Sequence, residues 1–438
     1  MGDVTIEPLS GPFTAVVRPP GSKSLTNRAL VLASLAKGSS TLGNVLFADD
    51  TRVMLEGLSR LGFTISIDAA ACIVGVSGAG GALPAAEAEL FCGNSGTTIR
   101  FLTALCSLGH GRYRLDGVER MRQRPIGELV NGLNNLGVRT EYAGQVGFPP
   151  VIVDADGIAG GLLTYGTAAS SQFLSAVAMI SPFARHEVRI ELEGRQTSWP
   201  YVVMTMRLMD EFGVTPELIR DPITSEPRCI VIPRGVYHAV DYAVEPDASN
   251  ATYFLAAAAI NPGSKVTIQG LGRGSLQGDV GFADVLHRMG ANLIFGRDFI
   301  TLIGPERLEG IDVDLFDMPD TAQTLAVVAL FAEGPTHITG LRSLRVKETD
   351  RLAALCVELA ALGAAVNVED DDTLQIDPPV NIQSAAIATY DDHRMAMSFA
   401  LAATRRNGIV IRDGHCVNKT YPDFFGDFRK MLESRAST

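Results

Sequence analysis

The sequence predicts an α/β protein of two domains, each assembled from three similar units, and three observations carry that expectation. The first is length. The 438 residues exceed the roughly 250 to 300 at which one hydrophobic core usually stops growing, so at least two domains are expected. The second is an internal period of about 75 residues, marked by helical patterns that end in glycine before an apolar run at Gly62, Gly137, Gly213, Gly290 and Gly363. The third is the order within each period: a strand, a strongly apolar helix, a strand and an amphipathic helix. A unit of that size cannot bury both faces of its own apolar helix, so units must cluster, and three per domain account for the length.

The apolar helices are read in RALVLASLA, IRFLTALCSL, QFLSAVAMI, NATYFLAAAAI, AQTLAVVALFA and HRMAMSFALAA. Each precedes a strand that ends in glycine, at Gly43, Gly117, Gly194, Gly270, Gly340 and Gly414. The last copy runs into the helical pattern FFGDFRKML. Glycine after each amphipathic helix suits a left-handed cap. Arg18-Pro19-Pro20 and the stretch PRGVYHAVDYAVEPD from Pro233 punctuate the chain as crossings between domains.

Hydrophobic residues make up 46% and charged residues 20% of the chain, which excludes disorder. A formal net charge of -12 repels polyanions, so neither nucleic acid nor an anionic membrane is expected as a partner. The six cysteines show no CxxC pair, so a metal site and a disulfide framework are not expected. The start lacks the apolar core of a signal peptide, and no uncharged run of about 18 apolar residues follows. A cytoplasmic protein is expected.

Polar residues gather where the apolar helices begin: Lys23, Ser24 and Arg28; Asn94, Ser95, Gly96, Thr97 and Arg100; Ser170, Ser171 and Gln172; Asp247, Ser249 and Asn250; Asp320 and Gln323; and Asp392, His393 and Arg394. Hydroxyl and amide residues there are ordinary caps. Lysine and arginine in first turns oppose the helix dipole unless an anion is bound. The loops before the amphipathic helices add Arg122, Arg124, Arg345, Lys347, Arg351 and Lys419. PGSKSLTNR does not match a phosphate-binding GxxxxGK[ST] loop, and no GxSxG elbow supports a serine nucleophile beside His393. Asp320 and Glu348, carboxylates set among cations and amides, are candidates for proton transfer.

PGSKSLTNRAL, GNSGTTIRFL, RMRQRPIGEL, SSQFLSAV, DMPDTAQT, RVKETDRL, DDHRMAMSFAL and NKTYPDFF, taken in order from Arg18 to Phe425, resemble the motif series of the 5-enolpyruvylshikimate-3-phosphate synthase family. The resemblance implies the enolpyruvyl transferase fold, an inverse α/β barrel-like arrangement of two domains. Each would contain three βαβαββ repeats and close on substrate across an interdomain cleft. The domains would then be residues 21–240, and residues 1–20 with 241–438. It further implies carboxyvinyl transfer from phosphoenolpyruvate to shikimate 3-phosphate without metal or cofactor, on the path to chorismate and aromatic amino acids, by a monomer open to competition by glyphosate.

By the same resemblance, Lys23, Ser24, Arg28, Ser170, Ser171, Gln172, Ser198, Tyr201, Asp320, Ser343 and Lys347 would hold shikimate 3-phosphate. Phosphoenolpyruvate would take Lys23, Gly96, Arg124, Gln172, Arg351, Arg394 and Lys419. Asp320 would accept the proton of the 5-hydroxyl, and Glu348 with Lys23 would manage the methylene proton. Two positions depart from the family pattern: Phe101 stands where many members have proline, and Ser343 where asparagine is frequent. The related transferase acting on UDP-N-acetylglucosamine uses a cysteine in the loop matching RMRQRP, and this chain has none between Cys106 and Cys229. A non-catalytic binder of phosphorylated ligands would not require both Asp320 and Glu348.

Overall fold

A computed structural model describes residues 2–167 and 170–434. The chain divides into two compact units, one of Gly21–Val244 and one of Met1–Pro20 with Glu245–Thr438.

The Gly21–Val244 unit contains α1 (Lys23–Leu35), α2 (Asp49–Arg60), α3 (Gly96–Cys106), α4 (Gly127–Asn135), α5 (Ser171–Ile180) and α6 (Trp199–Glu211). Its strands form three four-stranded sheets of one topology. In the middle repeat, Glu87–Phe91 pairs parallel with His110–Asp116, which pairs antiparallel with Val151–Asp156, followed by Arg139–Tyr142. The parallel pair needs a crossover, and α3 supplies it. The sheet of Gly161–Tyr165, Val188–Leu192, Pro227–Ile232 and Glu217–Arg220 repeats the pattern around α5. In the remaining sheet the first position is filled from the far end of the unit, where Asp241–Ala243 lies parallel to Lys37–Gly43. A boundary after residue 240 would cut this strand from its sheet, which is why the division falls at Val244.

The other unit contains α7 (Ala248–Ile260), α8 (Phe282–Arg288), α9 (Ala322–Ala329), α10 (Arg351–Ala361), α11 (His393–Ala403) and α12 (Phe424–Glu433). The amino-terminal strand Thr14–Val17 pairs parallel with Lys265–Gln269 and so starts the fourth copy. Asp312–Asp314 does the same beside Thr336–Thr339 in the fifth. The sixth copy departs from the expected repeat. Ala386–Ile387 lies parallel to Val410–Ile411, and Val4–Thr5 completes a three-stranded sheet in the antiparallel sense. In place of a closing hairpin the chain turns into α12. Its Phe424, Phe425 and Phe428 meet Tyr253, Phe254 and Tyr421 in an aromatic cluster.

The odd-numbered helices form the interiors. Every residue of α3, α7, α9 and α11 is buried, and α7, α9 and α11 touch one another. The even-numbered helices bury one face, as in α2 with Thr51, Met54, Leu55 and Leu58. The five glycines read as helix ends, Gly62, Gly137, Gly213, Gly290 and Gly363, all have φ between 89° and 109°, a conformation in which a Cβ would be strained. Among the described residues no helix is long and apolar enough to cross a membrane.

Candidate active site

Helix starts are capped largely as their sequences dictate. The side chains of Ser22, Ser95, Ser170, Asp247 and Asp392 accept from backbone N–H groups of α1, α3, α5, α7 and α11, each contact stabilising its helix by about 1 kcal/mol. Among the odd-numbered helices the exception is α9, which continues from a 3-10 turn over Pro319–Thr321 and has no side-chain cap. Asp320 lies in that turn and is therefore released from capping.

In the Gly21–Val244 unit, Arg28, Arg100 and Arg124 donate to neutral oxygens. Arg28 is fully buried. It donates to Thr205 Oγ1 at 2.7 Å, the Ser24 carbonyl at 3.0 Å, Ser175 Oγ at 3.2 Å and the Tyr201 carbonyl at 3.3 Å. Its guanidinium also sits 5.1 Å from the Phe101 ring, so the residue that replaces proline packs against a charge. Burial lowers Arg28 to about 10, and the protonated form still dominates at neutral pH. Arg124 donates to the Asn94 carbonyl at 2.8 Å, and Arg100 to Gln172 Oε1 at 2.6 Å and the Pro125 carbonyl at 3.0 Å. Both guanidinium groups close on Gly96. A Cβ there would lie 2.6 Å from Arg124 Nη2 and 3.1 Å from Arg100 Nη1, so only glycine fits without moving them. Lys23 differs, with Nζ 3.2 Å from the buried Asp50 carboxylate.

In the other unit the cations meet carboxylates. Asp320 Oδ1 lies 3.3 Å from Lys347 Nζ and 3.1 Å from Arg351 Nη1, while its Oδ2 accepts from Arg394 Nη2 at 3.0 Å. Glu348 accepts from Arg351 at 2.9 Å and has Lys419 Nζ at 3.9 Å. Arg351 Nε donates to Asp392 at 2.7 Å, and the same Asp392 carboxylate caps Arg394 N at 2.9 Å. Burial alone would push Asp320 up, but Arg394, Lys347 and Arg351 hold it well below the usual carboxylate range despite the nearby Glu348 charge. Arg351 is raised in turn, because its three carboxylate partners outweigh its burial. Asp279, bonded by the Ser249 hydroxyl, is pushed up to about 6 by burial first and by the Asp320 charge second. Among the described residues no cluster suited to a metal ion occurs.

The predicted residues thus fall into linked groups. Arg28 ties Ser24 to Tyr201, Gly96 meets Arg124, and Gln172 follows Ser170 and Ser171 at the start of α5. Asp320, Lys347, Glu348, Arg351, Arg394 and Lys419 share one ion-pair network. Ser198 stands at the N-cap position of α6 in a left-handed conformation at φ 54°, without a side-chain capping bond. Ser343 is buried, and its Oγ has no hydrogen-bond partner among the described residues. His393 Nδ1 is 3.7 Å from Asp392, too far for a dyad. Two loop cations are turned elsewhere: Arg122 pairs with Asp116, and Arg345 with Asp350 and Asp371. Sequence reasoning singled out Arg100 and Asp392 as helix openers but gave them no role, and it missed Asp50. The paired acids of FADDTR at the start of α2 were the available signal.

The model of the EPSP synthase family, 3-phosphoshikimate 1-carboxyvinyltransferase, matches residues 9–428. The chain belongs to this family. Proteins named 3-phosphoshikimate 1-carboxyvinyltransferase from Trichormus variabilis and Shewanella amazonensis are each 45% identical to it, over 99% of this chain and 100% of theirs. Among solved structures, an EPSP synthase from Acinetobacter baumannii superimposes with a TM-score of 0.80 at 24% identity, covering 98% of both chains. The enolpyruvyl transferase NikO from Streptomyces tendae gives 0.75 at 20% identity, again over 98% of each. At these identities the two structures establish the fold. The EPSP synthase match spans every position from Lys23 to Lys419, so both charged groups lie inside it.

Proposed function

We infer that this chain carries out its family's reaction, transfer of the carboxyvinyl group from phosphoenolpyruvate to the 5-hydroxyl of shikimate 3-phosphate, with phosphate released. The observation that carries the reading is Asp320, a carboxylate outside any helix cap and held by Lys347, Arg351 and Arg394. In that state it is ionised but weakly basic. Substrate phosphate and carboxylate groups compete for the same cations, and each cation they draw away raises the basicity of Asp320. The carboxylate then takes the 5-hydroxyl proton as that oxygen attacks C2 of phosphoenolpyruvate. Glu348 with Lys23 protonates the C3 methylene and takes a proton back as the C2–O bond to phosphate breaks.

In this reading, Lys23, Ser24, Ser170, Ser171, Gln172, Ser198, Tyr201, Ser343 and Lys347 bind shikimate 3-phosphate, with Arg28 securing Ser24 and Tyr201. The unpartnered Ser343 hydroxyl supports its place here, because a buried polar atom calls for a partner. Arg124, Arg351, Arg394 and Lys419 serve phosphoenolpyruvate, with Gly96 leaving room for it. A monomer in the cytoplasm is consistent with the acidic charge and with six free cysteines. The direct test is phosphate release from phosphoenolpyruvate. It should require shikimate 3-phosphate and should not occur with UDP-N-acetylglucosamine. Release with the sugar nucleotide alone would reverse the assignment.

A further inference from the structure

Asp392 and Arg394 are delivered by a turn that is unfavourable by itself. Tyr390 and Asp391 both have positive φ, 55° and 54°, and Asp392 N closes the turn on the Thr389 carbonyl at 2.8 Å. Two successive left-handed residues normally call for Asn-Gly or similar pairs. A tyrosine there is strained, and the residue is 41% exposed, so neither propensity nor burial explains it.

The hydroxyl explains it. Tyr390 Oη donates to Glu358 Oε1 at 2.7 Å, and Ala388 N donates to Glu358 Oε2 at 3.2 Å. Glu358 is 4% exposed and lies on α10 two turns beyond Arg351, on the same face. One helix therefore grips the segment at two points, with Arg351 on the Asp392 side chain and Glu358 on Ala388 and Tyr390. Asp392 in turn orients the α11 start, from which Arg394 reaches Asp320 at 3.0 Å.

We propose that the Glu358–Tyr390 contact is a positioning device for the reaction: it holds the strained 389–392 turn so that Asp392 and Arg394 stand in register with Arg351 and Asp320. This rests on the reading of Arg351 and Arg394 as phosphoenolpyruvate-binding cations. The device acts through those arginines, so its loss changes phosphoenolpyruvate binding more than turnover or shikimate 3-phosphate binding.

Steady-state kinetics with both substrates, beside thermal melts, test this in Tyr390→Phe, Glu358→Ala, Glu358→Gln and the reference Arg394→Lys. Tyr390→Phe should raise KM for phosphoenolpyruvate about 5-fold and Glu358→Ala about 10-fold, with KM for shikimate 3-phosphate within about 2-fold. Glu358→Gln should restore most of the loss, because its oxygen accepts from Ala388 N and its amide donates to the Tyr390 oxygen. Parallel changes in both KM values that track a lowered Tm would mean a purely structural contact and overturn the proposal. So would an unchanged KM for phosphoenolpyruvate in Glu358→Ala while Arg394→Lys raises it. If Arg394→Lys itself leaves that KM unchanged, the assignment of the cations fails, and the positioning role falls with it.

Discussion

The candidate-site arginines of the two units differ in the partners that orient them. Arg28, Arg100 and Arg124 donate to carbonyls, hydroxyls and an amide, contacts that fix the direction of each guanidinium. Lys347, Arg351, Arg394 and Lys419 are oriented by Asp320, Glu348 and Asp392, which fix geometry and neutralise charge. The difference teaches a division of labour. Under the function proposed above, the cations held by carboxylates tune the proton-transfer groups and pass to substrate only in exchange for them. Lys23, paired with Asp50, follows the second pattern inside the first unit.

The largest effect should come from removing the carboxylates on the neutralised side. Asp320→Asn and Glu348→Gln should fold and bind substrate yet turn over about 100-fold more slowly or worse, the scale of a lost general acid or base. Single-turnover kinetics would decide it, and near-normal rates in both variants would remove proton transfer from this cluster. An intermediate effect should come from the neutral side. Gly96→Ala places a Cβ 2.6 Å from Arg124 Nη2 and must displace that guanidinium from Asn94. KM for phosphoenolpyruvate should rise about 10-fold with Tm undiminished, since alanine favours the helix. An unchanged KM would show that Arg124 does not depend on that geometry.

The smallest effect concerns stability and pH. Asp279 is raised to about 6 from an ordinary 3.8. Its contribution is thus fully present below the unfolded value and is lost as pH rises through about 6. Asp320 is depressed, so its contribution is present above the ordinary value and lost only in stronger acid, as pH falls through its folded value. Asp279→Asn keeps an acceptor for Ser249 and removes the titration. Its Tm relative to wild type should climb by about 3 °C between pH 4 and pH 6.5. A constant difference across that range would mean that Asp279 does not titrate there.

The repeat, the buried helices and their capping were legible because their signals are local. A glycine ending a helix, a serine beginning one and an apolar run between them act within a few residues, and all five helix-end glycines adopt the backbone their position demands. The cations were legible too, as residues out of place at helix starts. Their partners were not. Arg351 and Asp392 are 41 residues apart, Arg28 and Thr205 177 apart, and nothing near either arginine announces the match. The same limit separated Arg122 and Arg345, taken by Asp116 and by Asp350 and Asp371, from the cations of the Asp320 ion-pair network. It also hid the sixth sheet, where the strand opposite Val410–Ile411 comes from Val4–Thr5 at the other end of the chain. Local sequence determined which elements form and where charge is placed. Which charges meet was decided by tertiary structure, because pairing energies depend on distance and burial that exist only after distant segments have packed.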